Sequence, residues 1–299
     1  MSTVFLTGVS GFLGWHLAQE LKKKHKIIGT YFSHPVETGG AKIIPLDLRD
    51  ATAVSRTIQK YRPEVILHTA ALTDVRFCQL NPRIAWETNT GATRILAEEA
   101  RQKSLRLIYI STDRVFDGKK GEYTEEDSSS PLDRYAKTKF MGEEAVRKTV
   151  SDHLTIRLPL MFGPPSPAHA SFVGWMLEAF RTNRPLELFT DQFRTPLYSE
   201  DACAAVEILL SQPQIKGLFH LGGRDRVSRD EFGRNMAAIF GLDPSLIRPL
   251  PMAAKPHQPP SPPDVSLNSE KLFRTIGFRA RPLKEGLTAL KKRLNNSNQ

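Results

Sequence analysis

The chain has 299 residues, of which 40% are hydrophobic and 25% charged. This composition is typical of a globular protein and excludes a disordered or fibrous one. The net charge is +10, but the lysines and arginines are scattered, so we expect a basic surface without nucleic-acid binding. Two isolated cysteines, Cys78 and Cys203, indicate neither a disulfide framework nor a zinc site.

Short apolar runs alternate with amphipathic segments from the start of the chain. Strands are predicted over residues 4–6, 26–31, 42–46, 64–68, 105–110 and 154–158. Helices are predicted over residues 12–24, 51–61, 84–103 and 134–150. Because buried strands separated by helices form parallel sheets with right-handed crossovers, we expect an α/β fold with a doubly wound parallel Rossmann sheet.

The second half of the chain is less regular. Helices are predicted within residues 166–183 and over 200–211, 228–240 and 283–294, a returning strand over 217–221, and an extended, proline-rich connection over 249–263. We expect a dinucleotide-binding domain over residues 1–165, with a returning segment at about 199–222. A smaller C-terminal substrate-binding lobe is expected over 166–299, interleaved with that segment.

No segment predicts a membrane or metal site. No apolar run is long enough to span a bilayer, the N-terminus lacks a signal-peptide pattern, and no His, Asp and Glu cluster has metal-ligand spacing. We therefore expect a cytoplasmic protein without a metal centre.

A glycine-rich loop lies between the first predicted strand and the first predicted helix. Gly8, Ser10, Gly11 and Gly14 fall in this loop. Glycines there permit a tight turn and close approach of the backbone to a pyrophosphate, which the helix N-terminus attracts. The loop predicts a dinucleotide site.

The end of the second strand indicates which dinucleotide is bound. A carboxylate there would hold the ribose hydroxyls of NAD, but none follows Tyr31, and Ser33 or His34 could face a 2′-phosphate instead. We expect NADP(H) to be preferred and NAD(H) to remain possible, although no arginine is adjacent in the sequence. Asp47 and Leu48 end the third strand, where the carboxylate either reaches the adenine amino group or caps a turn.

A candidate catalytic group follows the fifth strand. Tyr135 and Lys139 are four residues apart on a predicted helix and so share a face, and Thr112 ends the preceding strand. A ketone that accepts hydride needs a proton, which a tyrosine can donate if its pKa, near 10, is lowered. A neighbouring ammonium favours the phenolate, so this pattern predicts carbonyl reduction.

These pieces together resemble the extended branch of the short-chain dehydrogenase/reductase superfamily. The matching stretches are residues 7–14, 47–48, 68–71, 111–113 and 135–139. Within that branch the chain resembles the dTDP-4-dehydrorhamnose reductase subfamily, through residues 62–71, 81–82, 89, 111–118, 191–196 and 264–268. The resemblance extends from about residue 3 to residue 290.

The resemblance implies a role for each matching position. Tyr135 would be the general acid, Lys139 its helper and contact to the nicotinamide ribose, and Thr112 the hydroxyl partner. Residues implied to face the cofactor are Gly8, Gly11, Phe12, Leu13, Thr69, Ala70 and Ala71. Residues implied to lie near the sugar are Thr73, Val75 and Asp113.

The chain departs from the subfamily pattern at three substrate positions. Arg114 replaces a tyrosine, residues 157–163 lack a tryptophan, and Pro262 and Pro263 replace an Arg-Pro pair. Arg194 could bind a diphosphate or form a structural salt bridge.

The leading hypothesis is an NADPH-dependent reductase of a nucleotide-linked 4-keto-6-deoxy sugar, which could form a homodimer. The chain also resembles the regulatory beta subunit of methionine adenosyltransferase, so the alternative is an NADP-binding subunit without turnover. A nucleotide-sugar epimerase with tightly held NAD is the third hypothesis.

Overall fold

The computed structural model describes residues 2–168, 171–255 and 260–297. In chain order, the strands are β1 (Thr3–Thr7), β2 (Lys26–Tyr31), β3 (Lys42–Pro45), β4 (Val65–His68), β5 (Arg106–Thr112), β6 (His153–Leu158), β7 (Met161–Phe162), β8 (Leu186–Phe189), β9 (Phe193–Arg194), β10 (Leu197–Tyr198), β11 (Gly217–His220), β12 (Val227–Ser228) and β13 (Ile247–Leu250). The helices are α1 (Phe12–Leu21), α2 (Ala51–Tyr61), α3 (Val75–Leu80), α4 (Pro82–Trp86), α5 (Ala92–Gln102), α6 (Arg134–Thr149), α7 (Phe172–Arg181), α8 (Ser199–Ser211), α9 (Arg229–Phe240), α10 (Glu270–Ile276) and α11 (Leu283–Ser297).

The central sheet has seven parallel strands in the order β11-β6-β5-β4-β1-β2-β3. This confirms the predicted α/β class and the parallel Rossmann sheet. The chain winds outward in both directions from β1, so a crevice opens beyond the carboxyl ends of β1 and β4. Open α/β sheets bind their ligands in such a crevice.

Alternating side chains of the strands bury opposite faces of the sheet. Val4 and Leu6 of β1 pack in one apolar cluster with α1 and α8, whereas Phe5 packs in a second cluster with α2 and α5. A parallel sheet covered on both faces needs apolar residues at successive positions. The near-continuous apolar runs of the sequence meet that need.

The sequence predicted one continuous helix over residues 84–103, and this prediction is wrong. A π-helical turn, Glu87–Gly91, joins α4 to α5, and the chain also forms α3, which Asp74 caps by accepting from the backbone N–H of Phe77. The wider turn directs Asn89 into the interior, where its amide donates to the Thr138 hydroxyl over 3.0 Å. Such turns are rare and occur often at functional sites, so helical periodicity does not predict them.

A third apolar cluster lies outside the sheet. Helices α7, α9 and α11 and strand β8 surround Phe162 and Phe232. The predicted returning strand lies beside β6 as β11. The domain boundary at about residue 165 stays a prediction.

The proline-rich connection begins extended, as expected, and departs from that expectation only in one short turn. It contains the end of β13, which pairs in parallel with β8, and a single 3₁₀ turn over Met252–Ala254. Residues 256–259 of that prediction lie outside the described residues.

Within the described ranges, no helix is long and apolar enough to cross a membrane. The same part of the chain contains no group of three or more His, Cys, Asp or Glu side chains that could hold a metal ion. Cys78 and Cys203 are buried free thiols.

Candidate functional site

A cavity of about 810 Å³ opens at the carboxyl ends of the central strands. The sequence-predicted residues that line it are Gly8, Ser10, Gly11, Phe12, Leu13, Gly14, Tyr31, Ser33, Asp47, Leu48, Thr69, Ala70, Ala71, Thr73, Thr112, Asp113, Tyr135, Lys139 and Arg194. Val75 lines a neighbouring cavity instead. The topology thus gathers residues from the five segments that follow β1 to β5, together with α6 and β9, at one edge of the sheet.

The glycine loop has the shape that a phosphate cradle requires. Gly8 has φ of +73°, and a Cβ there would lie 2.7 Å from the Cα of Ala70. A Cβ on Gly14 would overlap the carbonyl oxygen of Gly8. Gly11 precedes α1 without a side-chain cap, so the first N–H groups of the helix stay free for an anion.

A buried hydrogen-bond network ties the ends of β1 and β4 together. The Thr7 hydroxyl accepts from the backbone N–H groups of Thr69 and Ala70, each over 3.2 Å, and lies 2.8 Å from His68 Nδ1. His68 Nε2 lies 3.0 Å from the Thr93 hydroxyl. Burial lowers the pKa of His68 to about 3, so the imidazole is neutral and holds the loop that faces Gly8.

The outer end of the cavity contains an arginine that sequence reasoning missed. Arg49 follows β3 and lines the cavity with Ser33 and His34, although it is fifteen or more residues away in the chain. Its guanidinium lies over the Phe32 ring at 5.0 Å and bonds Asp47 over 2.7 Å. The parallel pairing of β2 with β3 brings these loops together.

Asp47 acts as a turn residue and lines the cavity, while its contact with adenine stays a prediction. Its carboxylate accepts from the backbone N–H of Arg49 over 2.9 Å, as a turn residue does, and it also lines the cavity. The hydrogen bond from the Arg49 side chain lowers the pKa of Asp47, which keeps the carboxylate charged.

Tyr135, Lys139 and Thr112 meet at the centre of the cavity. The side chain of Asp133 caps α6, which carries Tyr135 and Lys139, by accepting from the backbone N–H of Ala136 over 2.8 Å. Tyr135 is 8% exposed and lines the cavity together with Thr112 at the end of β5, whose hydroxyl donates to Asp113 over 3.1 Å. Lys139 Nζ donates to the carbonyl of Ile110 over 2.7 Å.

Burial is the main influence on the protonation of Tyr135 and Lys139. Burial raises the pKa of Tyr135 above its ordinary value, and the Thr112 hydrogen bond opposes this only in part. Burial lowers the pKa of Lys139 to about 7, against the attraction of Glu143. Desolvation is the largest influence on the Tyr135 pKa, and it outweighs the Thr112 hydrogen bond and the nearby Arg114. That a neighbouring ammonium favours the phenolate stays a prediction.

A buried ion pair supports Lys139 from the next turn of α6. Glu143 accepts from the Ser111 hydroxyl over 2.5 Å and from Arg157 over 2.6 Å. Ser111 immediately precedes Thr112 on β5, so the pair fixes the end of that strand against the helix.

Asp113 and Arg194 form the salt bridge that was one of two expectations for Arg194. Arg194 Nε lies 3.7 Å from Asp113 Oδ2, and its guanidinium also donates to the carbonyls of Pro262 and Pro263. Asp113 Oδ2 is buried without a hydrogen-bond partner. Arg114, at one of the three substrate positions, and Arg229, which the sequence did not assign to a site, also line the cavity.

Comparison with known proteins gives the family. The model of the RmlD substrate binding domain matches residues 1–296. A probable low-salt glycan biosynthesis reductase of Haloferax volcanii is 29% identical and covers 96% of each chain. Subunit beta of methionine adenosyltransferase 2 from Rattus norvegicus is 32% identical over 83% of this chain and 75% of its own.

Solved structures give the same fold. The structure of dTDP-4-dehydrorhamnose reductase from Bacillus anthracis in complex with NADP superposes with a TM-score of 0.85 at 23% identity, covering 98% of this chain and 99% of its own. The chain therefore belongs to the RmlD substrate binding domain family, within the extended short-chain dehydrogenase/reductases.

Proposed function

We propose that the protein is an NADPH-dependent reductase of a nucleotide-linked 4-keto-6-deoxy sugar, similar to dTDP-4-dehydrorhamnose reductase. The observation that carries this proposal is the meeting of Thr112, Tyr135 and Lys139 in the cavity that the glycine loop borders. Residues 1–165 would then hold the cofactor and the smaller lobe the substrate.

The residues present fit a dinucleotide cofactor. A Cβ on Gly8 or Gly14 would collide with neighbouring backbone, so glycine is needed for the tight turn that would face a pyrophosphate, and the uncapped start of α1 supplies N–H donors. Arg49, Ser33 and His34 would favour a 2′-phosphate over a ribose hydroxyl. When bound, the nicotinamide supplies the hydride.

Tyr135 would donate the proton that the reduced carbonyl oxygen needs. Its raised pKa keeps the hydroxyl protonated at neutral pH, which is the form a reductase requires before the reaction. The Thr112 side chain would hold the carbonyl oxygen beside that hydroxyl. With a pKa of about 7, Lys139 is charged in part at neutral pH, and its charged form would stabilise the phenolate once the proton has left.

The sugar would lie between this group and Asp113. The unpartnered Asp113 Oδ2 is a buried acceptor at the cavity wall, and a sugar hydroxyl would satisfy it. The salt bridge to Arg194 holds the carboxylate in place.

Tyr135→Phe tests the proposal. With NADPH and a dTDP-4-keto-6-deoxy sugar, wild-type protein should consume NADPH, and the variant should be about 10²- to 10⁴-fold slower because it lacks the proton donor. NADPH should raise the melting temperature of both proteins equally. Tyr61→Phe, which removes a hydroxyl outside the cavity, should keep full activity.

A second candidate is an NADP-binding subunit of a methionine adenosyltransferase complex. The 32% identity to a subunit of that enzyme favours it. In that case wild type and Tyr135→Phe would be equally inert while binding NADPH, and a synthetase would co-purify from the native source. Tightly bound NAD after purification would instead favour an epimerase.

A further inference from the structure

We propose that Glu143 is a positioning residue for the reaction, which acts by holding the Lys139 side chain in place and in its charged form. The inference rests on the proposed function, in which charged Lys139 stabilises the phenolate of Tyr135. Glu143 is buried behind the cavity wall rather than on it. Its effect on the reaction would therefore pass through Lys139.

One face of α6 carries Tyr135, Lys139 and Glu143 at intervals of four residues. All three side chains are buried, and Glu143 is only 6% exposed. Tyr135 and Lys139 line the cavity, whereas Glu143 continues the same face into the interior. Because residues four apart are neighbours on a helix surface, the carboxylate of Glu143 lies on the inner side of the lysine.

Strand β5 contacts this face of α6 through consecutive residues. Lys139 Nζ donates to the carbonyl of Ile110 over 2.7 Å, and the Ser111 hydroxyl donates to Glu143 over 2.5 Å. Thr112, the next residue of the strand, lines the cavity. Glu143 is therefore bonded to the strand between the carbonyl that holds Lys139 and the hydroxyl assigned to the substrate oxygen.

Arg157 of β6 binds both oxygens of Glu143. Its Nε and Nη2 donate to the two carboxylate oxygens over 2.9 and 2.6 Å. The same guanidinium donates to the Ser129 hydroxyl over 2.8 Å, and its Nη1 lies 3.4 Å from His220 Nε2. A bidentate pair fixes the orientation of the carboxylate as well as its position. The anion beside Lys139 is thus held rigidly.

The other ionisable groups that pack around Lys139 are neutral. The Tyr109 ring of β5 lies 4.1 Å from Lys139 Nζ, and burial raises the pKa of Tyr109 and of Tyr135. Burial also lowers the pKa of His68, on β4, to about 3. Burial lowers the pKa of Lys139 itself to about 7, and the attraction of Glu143 opposes this. Among the described residues, Glu143 is therefore the carboxylate that counters the desolvation of the lysine.

Two buried cations share this carboxylate. Arg157 pairs with Glu143, and no second carboxylate of the described chain pairs with that arginine. Without the negative charge, the guanidinium and the ammonium would repel each other in the interior. An arginine stays protonated under such conditions, whereas a buried lysine gives up its proton. Glu143 thus keeps an ammonium available at neutral pH.

Competitive acetylation of the apo protein tests this effect without relying on turnover. Acetic anhydride reacts with the neutral amine, so mass spectrometry of the labelled peptides against pH gives the midpoint at which Lys139 loses its proton. The wild-type midpoint should lie near pH 7, as its pKa of about 7 requires. In Glu143→Gln it should lie about one pH unit lower or more. Lys137, exposed on the same helix, is the internal reference and should be labelled equally in both proteins.

Three further variants separate charge from folding. Glu143→Asp keeps the charge and should keep the midpoint near that of the wild type. Glu144→Gln removes the next carboxylate of α6, which pairs with Arg147 over 2.8 Å at the surface, and should leave the midpoint unchanged. Glu143→Gln leaves a buried guanidinium unmatched, so it is also combined with Arg157→Met. The double variant contains neither buried charge, so it should fold and still have a midpoint below that of the wild type.

The pH profile of the reaction gives the second measurement. With NADPH and the keto sugar at pH 7.5, kcat of Glu143→Gln should be about 10-fold lower than that of the wild type, because less of the lysine is charged. The loss should shrink as the pH is lowered to 6, since acid restores the ammonium, and KM for the sugar should change little.

Two results would overturn the inference. One is an equal Lys139 midpoint in the wild type, in Glu143→Gln and in the double variant. The other is a loss of kcat that is the same at every pH, which would show that Glu143 only supports the fold. A lowered midpoint in a protein whose wild type never consumes NADPH would support the action of Glu143 on Lys139 and contradict the reductase.

Discussion

Tyr135 and Lys139 illustrate how burial changes the chemistry that a sequence spacing predicts. Four-residue spacing on a helix places both side chains on one face, and the structure has them on the same cavity wall. Their protonation follows from desolvation, which favours the neutral form of each group. A protonated tyrosine beside a lysine of pKa about 7 suits proton donation to a reduced ketone.

Arg49 makes a residue-scale prediction about cofactor choice. Arg49→Gln should weaken NADPH binding by about 10-fold or more, since charge-assisted hydrogen bonds contribute about 1.5–3 kcal/mol. NADH binding should change little, because NADH lacks the 2′-phosphate. Fluorescence titration with both cofactors measures the ratio of the NADPH and NADH dissociation constants.

Arg49→Lys is the matched control, because it keeps the charge and should retain most of the NADPH preference. An equal loss of NADPH and NADH affinity in Arg49→Gln would contradict the assignment. It would show that Arg49 acts only by holding Asp47.

At the scale of elements, the loop between β1 and α1 needs glycine for two reasons. The backbone conformation favours it, and neighbouring backbone leaves no room for a Cβ. Gly8 and Gly241 have nearly equal φ, +73° and +72°, but only Gly8 faces neighbouring backbone. Gly241→Ala should cost about 1–2 kcal/mol of unfolding free energy through strain alone.

Gly8→Ala should cost more stability than Gly241→Ala, because its Cβ would also collide with Ala70. It should also weaken NADPH binding, whereas Gly241→Ala should leave that affinity unchanged. Urea denaturation and NADPH titration of both variants make the comparison. Equal effects of the two substitutions would show that the loop has room for a methyl group.

The π-helical turn shows an element that local periodicity does not define. The sequence predicted one helix over residues 84–103, and the chain inserts a wider turn within it. Asn89 then bonds the backbone of Leu72 and the side chain of Thr138. These partners come from distant parts of the chain, so the energetic reason for the turn exists only in the folded molecule.

At the scale of the whole molecule, buried histidines couple stability to pH, and His68 and His220 have the largest shifts. Burial lowers the pKa of both His68 and His220 to about 3, against 6.5 in the unfolded chain. Above pH 6.5 the imidazoles of both residues are mostly neutral in the folded and in the unfolded protein. Below it the unfolded state takes up protons that the folded state does not, so stability falls as the pH drops towards 3.

His68→Gln should reduce the slope of the unfolding free energy against pH by about 1.4 kcal/mol per pH unit. The reason is that this position no longer binds a proton in the unfolded state alone. Urea denaturation of the apo protein between pH 6 and pH 4.5 measures the slopes. His34→Gln, which removes an exposed histidine, should keep the wild-type slope. Equal slopes for wild type and His68→Gln would contradict the prediction.

The sequence by itself determined the parallel α/β fold, the glycine loop and the Tyr135–Lys139 pair. Each depends on local spacing: apolar runs of strand length, glycines between a strand and a helix, and four residues along a helix. Residues that act within one element can be recognised in this way, because their neighbours in space are also neighbours in sequence.

Only the tertiary structure decided the protonation of Tyr135, the position of Arg49 beside Ser33, and the meeting of Arg114 with Arg229. Burial depends on the whole packed molecule, and these arginines reach their sites from strands and helices distant in the chain. The physical reason is that desolvation and contact between remote segments arise on folding and leave no periodic pattern in the sequence.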